Sequence, residues 1–372
     1  MEVNPISVLE ATRDRPAAGW VVEPFLHVEA ERVENPLTDR TLGPGETGWE
    51  ALRRLLDGGR ELRQAPDPEA QALIDQGWLV PARDDLDRRH YLKYVSLETH
   101  TLCNQKCYFC PVAIKPRDRD FMPTELFERI VGELEAYRRT LEAVFLINYN
   151  EPTVDPRFVD QCRSVLGAGL PLSVNTNGSG LTPERVDALL DAGPLRFLLI
   201  NLSTLDAEEY RRTRGVGHLQ RVIDNVDYAN RHHVAEEMVI LVLGEDDEAH
   251  DRNFEAISER FAGGTFKVQR FGIMDRAGNI DVGVKPGEPH ACLRGCDNLG
   301  SRPLQHLHIT PQGRCVLCCE DYDENNVVGD LRQSTVAEVL EGGGLAQMRR
   351  WIYGLEEAPA DFICRGCLYA KT

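Results

Sequence analysis

Thr101-Leu-Cys103-Asn-Gln-Lys-Cys107-Tyr-Phe-Cys110 offers three thiols at C-x3-C-x2-C spacing and no fourth. A [4Fe–4S] cube has four irons and is normally closed by four protein thiolates. Three thiolates in one loop leave one iron open, the condition for a small molecule to bind the metal directly. Structural zinc is the alternative, but it usually comes with paired C-x2-C elements.

Working outward, the residues just before the loop, Tyr94–His100, read as a strand. From 91 to 285 such runs alternate with helical patterns: Ala143–Tyr149, Pro171–Thr176, Arg196–Ser203, Met238–Leu243 and Phe266–Gly272 are the other expected strands. Thr124 can cap a helix whose Leu126, Phe127, Ile130, Val131 and Leu134 share one face. Thr182-Pro183 starts another that stops at Gly193. Six strand–helix units with right-handed crossovers give an α/β fold, a parallel sheet curved into a partial (β/α)6 barrel. Reaction sites in such architectures lie at the carboxyl ends of the strands, where the cysteine loop falls. Cys162 shares a helical face with Phe158, Val165 and Leu166 and reads as a core thiol.

With an aromatic residue before its last cysteine, this loop resembles the signature of the radical S-adenosylmethionine (radical SAM) superfamily. The resemblance implies a six-unit, TIM-like partial barrel. It also implies that Cys103, Cys107 and Cys110 hold a [4Fe–4S] cluster whose open iron chelates the amino and carboxylate groups of SAM. One-electron reduction then cleaves SAM to methionine and a 5′-deoxyadenosyl radical. Phe109 matches the residue packing near the adenine, or simply shields the cluster from water. In Leu146-Ile-Asn-Tyr149-Asn150-Glu151-Pro152 the family's Gly-Gly-Glu-Pro-like turn, which receives the SAM ammonium, keeps Glu and Pro while Tyr149 and Asn150 replace the glycines. Ser173-Val-Asn175-Thr-Asn177-Gly178 resembles the Thr-Asn-Gly turn of the SAM pocket, with an ordinary Asn-Gly turn as the plain reading. Ser203 resembles the family's Ser-x-Asp element, and Arg214 either pairs the SAM carboxylate or caps a helix.

Seven of the eleven cysteines follow residue 286: Cys292, Cys296, Cys315, Cys318, Cys319, Cys364 and Cys367. Leu307 to Cys318 reads as a hairpin turning at Gln312-Gly313, with Cys318 at G-x4-C spacing. With Cys364-Arg-Gly-Cys367 this resembles a SPASM or shortened "twitch" extension, which binds auxiliary [4Fe–4S] clusters. Cys296, Cys318, Cys364 and Cys367 are the expected ligands of one such cluster. Cys292 can stand in for Cys296, and Cys315 or Cys319 for Cys318. Two fully closed clusters need about eight thiolates, so one is favoured. Zinc on the pairs Cys315/Cys318 and Cys364/Cys367 is the rival. In related enzymes a residue after the Cys318-type ligand acts as substrate base, which makes Cys319 and Asp321 candidate catalytic groups; a thiol there could instead donate a hydrogen atom. His100, His306 and His308 read as structural, with His308 on an exposed strand face.

Residues 1–90 carry two helical patterns, Gly48–Asp57 and Pro68–Asp75, then the short apolar run Trp78–Pro81. They resemble the winged-helix-like modules that bind leader peptides, or form a plain extension packed on the barrel. Three parts are thus expected: 1–90, a small α+β module; 91–285, the barrel; 286–372, the cysteine-rich extension. Across all 372 residues, 42% are hydrophobic and 27% charged, as in globular proteins. A net charge of −18 argues against a nucleic-acid partner. No apolar run reaches membrane-spanning length, and no signal peptide opens the chain. Eleven cysteines without an export signal read as metal ligands in a cytoplasmic protein.

The expected function is reductive SAM cleavage and hydrogen abstraction, with an electron donor such as flavodoxin or ferredoxin. A peptide is the favoured substrate. The alternatives are an aminocyclitol or sugar oxidised in antibiotic biosynthesis, or a non-catalytic iron–sulfur or zinc module.

Overall fold

The computed structural model describes residues 19–62, 65–278, 281 and 287–372. The first 18 residues and the boundary expected at 285/286 lie outside them. An N-terminal module comes first, with β1 (Trp20–Val22), β2 (His27–Val28), β3 (Val33–Asn35), β4 (Arg40–Leu42), α1 (Trp49–Asp57), β5 (Glu61–Leu62), α2 (Pro68–Asp75) and β6 (Leu79–Pro81). Its strands form two antiparallel sheets, ordered β5-β1-β6 and β2-β3-β4. Both expected helices are present. Asp67 caps α2 by accepting a hydrogen bond from Ala70 N at 2.8 Å, with Pro68 at the first helical position. Trp20, Trp49, Trp78, Leu52 and Leu73 give the module a core of its own.

The barrel follows as β7 (Tyr94–Leu97), α3 (Pro111–Ile114), α4 (Thr124–Leu134), β8 (Ala143–Phe145), α5 (Phe158–Gly167), β9 (Leu172–Thr176), α6 (Pro183–Ala192), β10 (Leu195–Asn201), α7 (Ala207–Arg214), α8 (Leu219–Ala229), β11 (Ala235–Gly244), α9 (Glu248–Arg260) and β12 (Lys267–Gly272). All six strands pair in parallel in chain order. Registered neighbours such as Ser96, Phe145, Ser173 and Phe197 share one face. The opposite face carries Val95, Val144, Val174, Ile200 and Ile240, fully buried in the core shared with the helices. Cys162 in α5 is buried there as expected. Thr124 is the first residue of α4 rather than its cap; Pro123 holds the cap position, and the Thr124 hydroxyl accepts from Arg157 instead.

Beyond Gly295–Cys296 (β13) and Arg302–Gln305 (α10), the extension continues the barrel sheet. β14 (His306–Ile309) pairs in parallel with β7, then β15 (Arg314–Val316) and β16 (Val327–Asp330) add antiparallel, making nine strands. The turn falls at Gln312–Gly313, where Gly313 takes φ +80°. His308 corrects the sequence reading: it has no exposed face, because all four residues of β14 are buried between neighbouring strands and the barrel interior. After α11 (Val336–Leu340) and α12 (Gly343–Ile352), β17 (Ala370–Lys371) returns to pair with β13.

Candidate active site

The loop carrying Cys103, Cys107 and Cys110 leaves the carboxyl end of β7, and its backbone is tied to the next turns. Lys106 N donates to Arg214 O (2.8 Å), Tyr108 N to Thr213 O (3.2 Å) and Glu151 N to Leu102 O (2.8 Å). Asn104 links two partners, accepting from Asn177 Nδ2 and donating to Ser179 Oγ, both at 2.8 Å. Burial pushes the Cys103 thiol up to about 12, helped by Glu151, Cys107 and Cys110; Cys110 is likewise raised by burial and by Cys107. Backbone N–H groups of Gln105 and Val112 point at these two sulfurs, and Arg214 Nη1 lies 3.4 Å from Cys107 Sγ. Raised thiols such as Cys103 and Cys110 become thiolates readily only when a cationic centre offsets their charge. Thiolates cradled by N–H donors are the setting an iron–sulfur cluster uses, so the donor set fits that group.

Glu151 is fully buried, and burial raises its pKa. Its Oε1 accepts from Thr153 N (3.1 Å), Thr153 Oγ1 (2.5 Å) and Thr176 Oγ1 (2.6 Å); Oε2 accepts from Asn177 N (2.7 Å). Charge-assisted bonds of this kind contribute roughly 1.5–3 kcal/mol each. The carboxylate is therefore saturated by the chain itself, and it locks the end of β9 against the loop after β8. Asn150 is also engaged locally, accepting from Asn148 N at 3.1 Å and donating to Leu146 O at 3.3 Å. Asn177 ties the turn to the cysteine loop, whereas Asn175 is half-buried on the inner barrel face beside Asn201.

Beside the loop is a pocket of about 340 Å³, lined by Tyr108, Phe109, Ser203, Arg214, Leu243 and Gly244 among others. Arg214 stacks over the Phe109 ring at 5.1 Å and donates through Nη2 to Ser203 Oγ at 2.5 Å. Phe109, Ser203 and Arg214, far apart in sequence, thus meet in one wall. Leu243 and Gly244 at the end of β11 carried no signal strong enough to single them out.

The second cysteine group forms where β13 and β17 pair, placing Cys296 opposite Ala370, and the charge of Cys296 acts on Cys364 and Cys367. Burial raises Cys296, Cys318, Cys319, Cys364 and Cys367, and the charges of these five act on one another. N–H groups again aim at sulfur: Glu320 N to Cys318 Sγ at 3.4 Å, Arg302 and Asn298 to Cys296, Tyr369 to Cys367. These residues could hold a cluster. Cys292 is exposed outside the group, and Cys315 is buried in the core near Asp330.

Of the two candidate catalytic groups, Cys319 joins this site, with Sγ 3.7 Å from Glu320 Oε1. Asp321 accepts at its two oxygens from Asn325 N (3.0 Å) and Asn326 N (2.7 Å), stapling its own turn, and its charge acts on Cys364. Glu320, whose charge acts on Cys318, Cys319 and Cys367, is buried and pairs with Arg276 at 3.7 Å. Arg276 in turn senses Cys110 and Cys319 and lies 5.7 Å over the Tyr149 ring, bridging the two cysteine groups.

Tyr149 and Tyr322 meet edge to face at 4.7 Å, and the Tyr149 hydroxyl donates to Cys319 O. The buried pair Glu98–Arg117 underlies them, with Arg117 5.0 Å over Tyr322 and Glu98 accepting from Tyr149 N at 3.0 Å. Tyr149 occupies a position where the family favours glycine, and this contact with the auxiliary loop is a physical use for it.

The radical SAM superfamily model matches residues 97–256, and the iron–sulfur cluster-binding domain SPASM matches 296–368. The tungsten-containing aldehyde ferredoxin oxidoreductase cofactor-modifying protein of Pyrococcus furiosus is 33% identical over 102 residues, covering 27% of this chain and 28% of that protein. The S-adenosyl-L-methionine-dependent 2-deoxy-scyllo-inosamine dehydrogenase of Niallia circulans is 21% identical over 277 residues, covering 73% of this chain and 91% of that protein. The first curated relatives are matched over less than half their own length. Streptococcus suis SuiB, solved bound to precursor peptide SuiA, shares the fold with a TM-score of 0.58 at 13% identity, over 94% of this chain and 93% of that one. No helix among the described residues is long and apolar enough to cross a membrane. Both cysteine groups fall inside the matched segments, which bring a SAM-binding [4Fe–4S] cluster and auxiliary iron–sulfur binding and displace the zinc reading. The chain is a radical SAM enzyme of the SPASM subfamily.

Proposed function

We propose that this enzyme cleaves SAM reductively and abstracts a hydrogen atom from a peptide side chain. The observation that carries the reading is the three-thiol loop opening beside a pocket of nucleoside size. When bound, a [4Fe–4S] cluster with one open iron supplies the electron that splits SAM. Cys103, Cys107 and Cys110 hold it. Phe109 and Arg214 wall the adenosine pocket, Ser203 offers a hydroxyl, and Glu151 fixes the turn on which Asn177 stands. Cys296, Cys318, Cys364 and Cys367 close one auxiliary cluster, leaving Cys319 and Glu320 free to face substrate.

For the substrate, the inner barrel face presents Phe145, Phe197, Leu199, Leu241 and Leu243 half-buried, with Asn175 and Asn201 among them. Such a lining suits an amino-acid side chain better than a polyhydroxylated ring, whose hydroxyls would lose water without partners. The resemblance to SuiB runs nearly the whole length, so it includes the N-terminal module; that relative binds a precursor peptide, and residues 1–90 serve as the peptide-docking module here. Oxidation of an aminocyclitol is the second reading, favoured by the long sequence match to the Niallia circulans dehydrogenase.

The readings separate in an anaerobic assay of the full chain with SAM, dithionite, and either a precursor peptide encoded beside its gene or 2-deoxy-scyllo-inosamine. The peptide is expected to stimulate 5′-deoxyadenosine formation and to be modified. Stimulation and oxidation of the aminocyclitol alone would overturn the peptide assignment.

A further inference from the structure

Arg302 is a cation without a carboxylate partner among the described residues. Its Nη2 donates to Asn298 Oδ1 at 2.9 Å, and Nη1 contacts the imidazoles of His306 and His308, the latter at 3.4 Å from Nε2. Those rings stack on each other at 4.0 Å with only 15° between planes, and His306 Nε2 sits 3.0 Å from Ser96 Oγ in the barrel. Burial, with Arg302 beside them, pushes both imidazoles well below their ordinary value. Every side chain touching the guanidinium is therefore neutral. Asp297, next in the chain to Asn298, is turned to Lys371 at 3.3 Å.

The groups that Arg302 acts on include sulfurs. Its charge acts on the Cys296 and Cys319 thiols, and its own backbone N–H is aimed at Cys296. A [4Fe–4S] cluster closed by four thiolates carries net negative charge, and its reduction potential depends on nearby charge and on hydrogen bonds to sulfur. A fixed cation beside it stabilises the more negative, reduced form. Arg is suited to the task because it stays charged at any physiological pH, and two stacked neutral rings hold it without cancelling that charge.

We propose that Arg302 sets the reduction potential of the auxiliary cluster, raising it so that the cluster accepts an electron, and that the His306–His308 stack positions it. This rests on the reading that Cys296, Cys318, Cys364 and Cys367 hold a cluster. Arg302 acts through the cluster and is a positioning residue for electron flow.

The test is an EPR-monitored redox titration of the 2+/1+ couple in the full-length chain. The background is Cys103/Cys107/Cys110→Ala, where only the auxiliary cluster reports. Arg302→Gln is expected to move the midpoint negative, lowering the reduced-to-oxidised ratio at fixed potential about tenfold, or about 59 mV for one electron. Arg302→Lys should restore much of the shift. Asn298→Asp, nearly isosteric, should also move the midpoint negative by placing an anion on the guanidinium, and it keeps the test decisive if Arg302→Gln loses iron. Equal midpoints in the background, Asn298→Asp and any iron-loaded Arg302→Gln protein overturn the role of Arg302 alone. No iron–sulfur signal in the background overturns the cluster reading and this role with it.

Discussion

Replacing Cys103, Cys107 and Cys110 together by alanine is expected to drop 5′-deoxyadenosine formation to the uncatalysed background, a loss of at least about 10⁶-fold. It should also remove about four irons per chain while leaving the auxiliary iron. The chain should still fold, because the loop is held by its backbone and by Asn104 rather than by its thiols: Lys106 N and Tyr108 N bond the carbonyls of Arg214 and Thr213, Glu151 N bonds Leu102 O, and Asn104 bonds Asn177 and Ser179. The alanines also remove Cys103 and Cys110, two thiols whose ionisation burial already disfavours, so the fold loses no charge it depends on. Iron assay and product chromatography check the outcome together. Full iron content with undiminished activity would show that these residues are not the ligands.

Cys364→Ala should have the next largest effect, and a different one. Cys364 lies among Cys296, Cys318 and Cys367, so its loss leaves the auxiliary group one thiolate short. The expected result is loss or lability of that iron and disappearance of modified product. Basal SAM cleavage should persist, since the first loop and the pocket at Phe109 are untouched. The fold should again survive, because the extension is anchored by β14 on β7 and by the Glu98–Arg117 pair under Tyr149 and Tyr322, not by sulfur alone. Loss of product and SAM cleavage in parallel, with the first cluster intact, would contradict the division of labour proposed here.

The barrel strands other than the polar β12 were legible because they are largely apolar runs bounded by turn residues, and their ends matter little to that reading. The three-thiol loop was legible because its spacing is local. What sequence could not show is contact between distant segments. Asp321 and Glu320 are neighbours in the chain, and only the fold reveals that Asp321 staples a turn while Glu320 faces Cys319 and Arg276. Glu151 read as an acceptor for an ammonium, yet four donors of the chain occupy it, because the loop after β8 and the turn after β9 meet only in three dimensions. His308 misled for a related reason. Alternation along a strand predicts an exposed face only where the sheet has one, and β14 borders the barrel interior. That Arg302 has neutral partners and no carboxylate partner among the described residues is visible only once its neighbours are placed around it.

The protein leaves one iron at the Cys103–Cys110 loop open for SAM. That open iron is tested most directly by the EPR spectrum of the reduced Cys364→Ala protein, in which the first cluster dominates, recorded with and without SAM. The expected result is a [4Fe–4S]⁺ signal whose g-values and line shape change when SAM is added. A signal indifferent to saturating SAM, or a loop that binds only zinc, would contradict it.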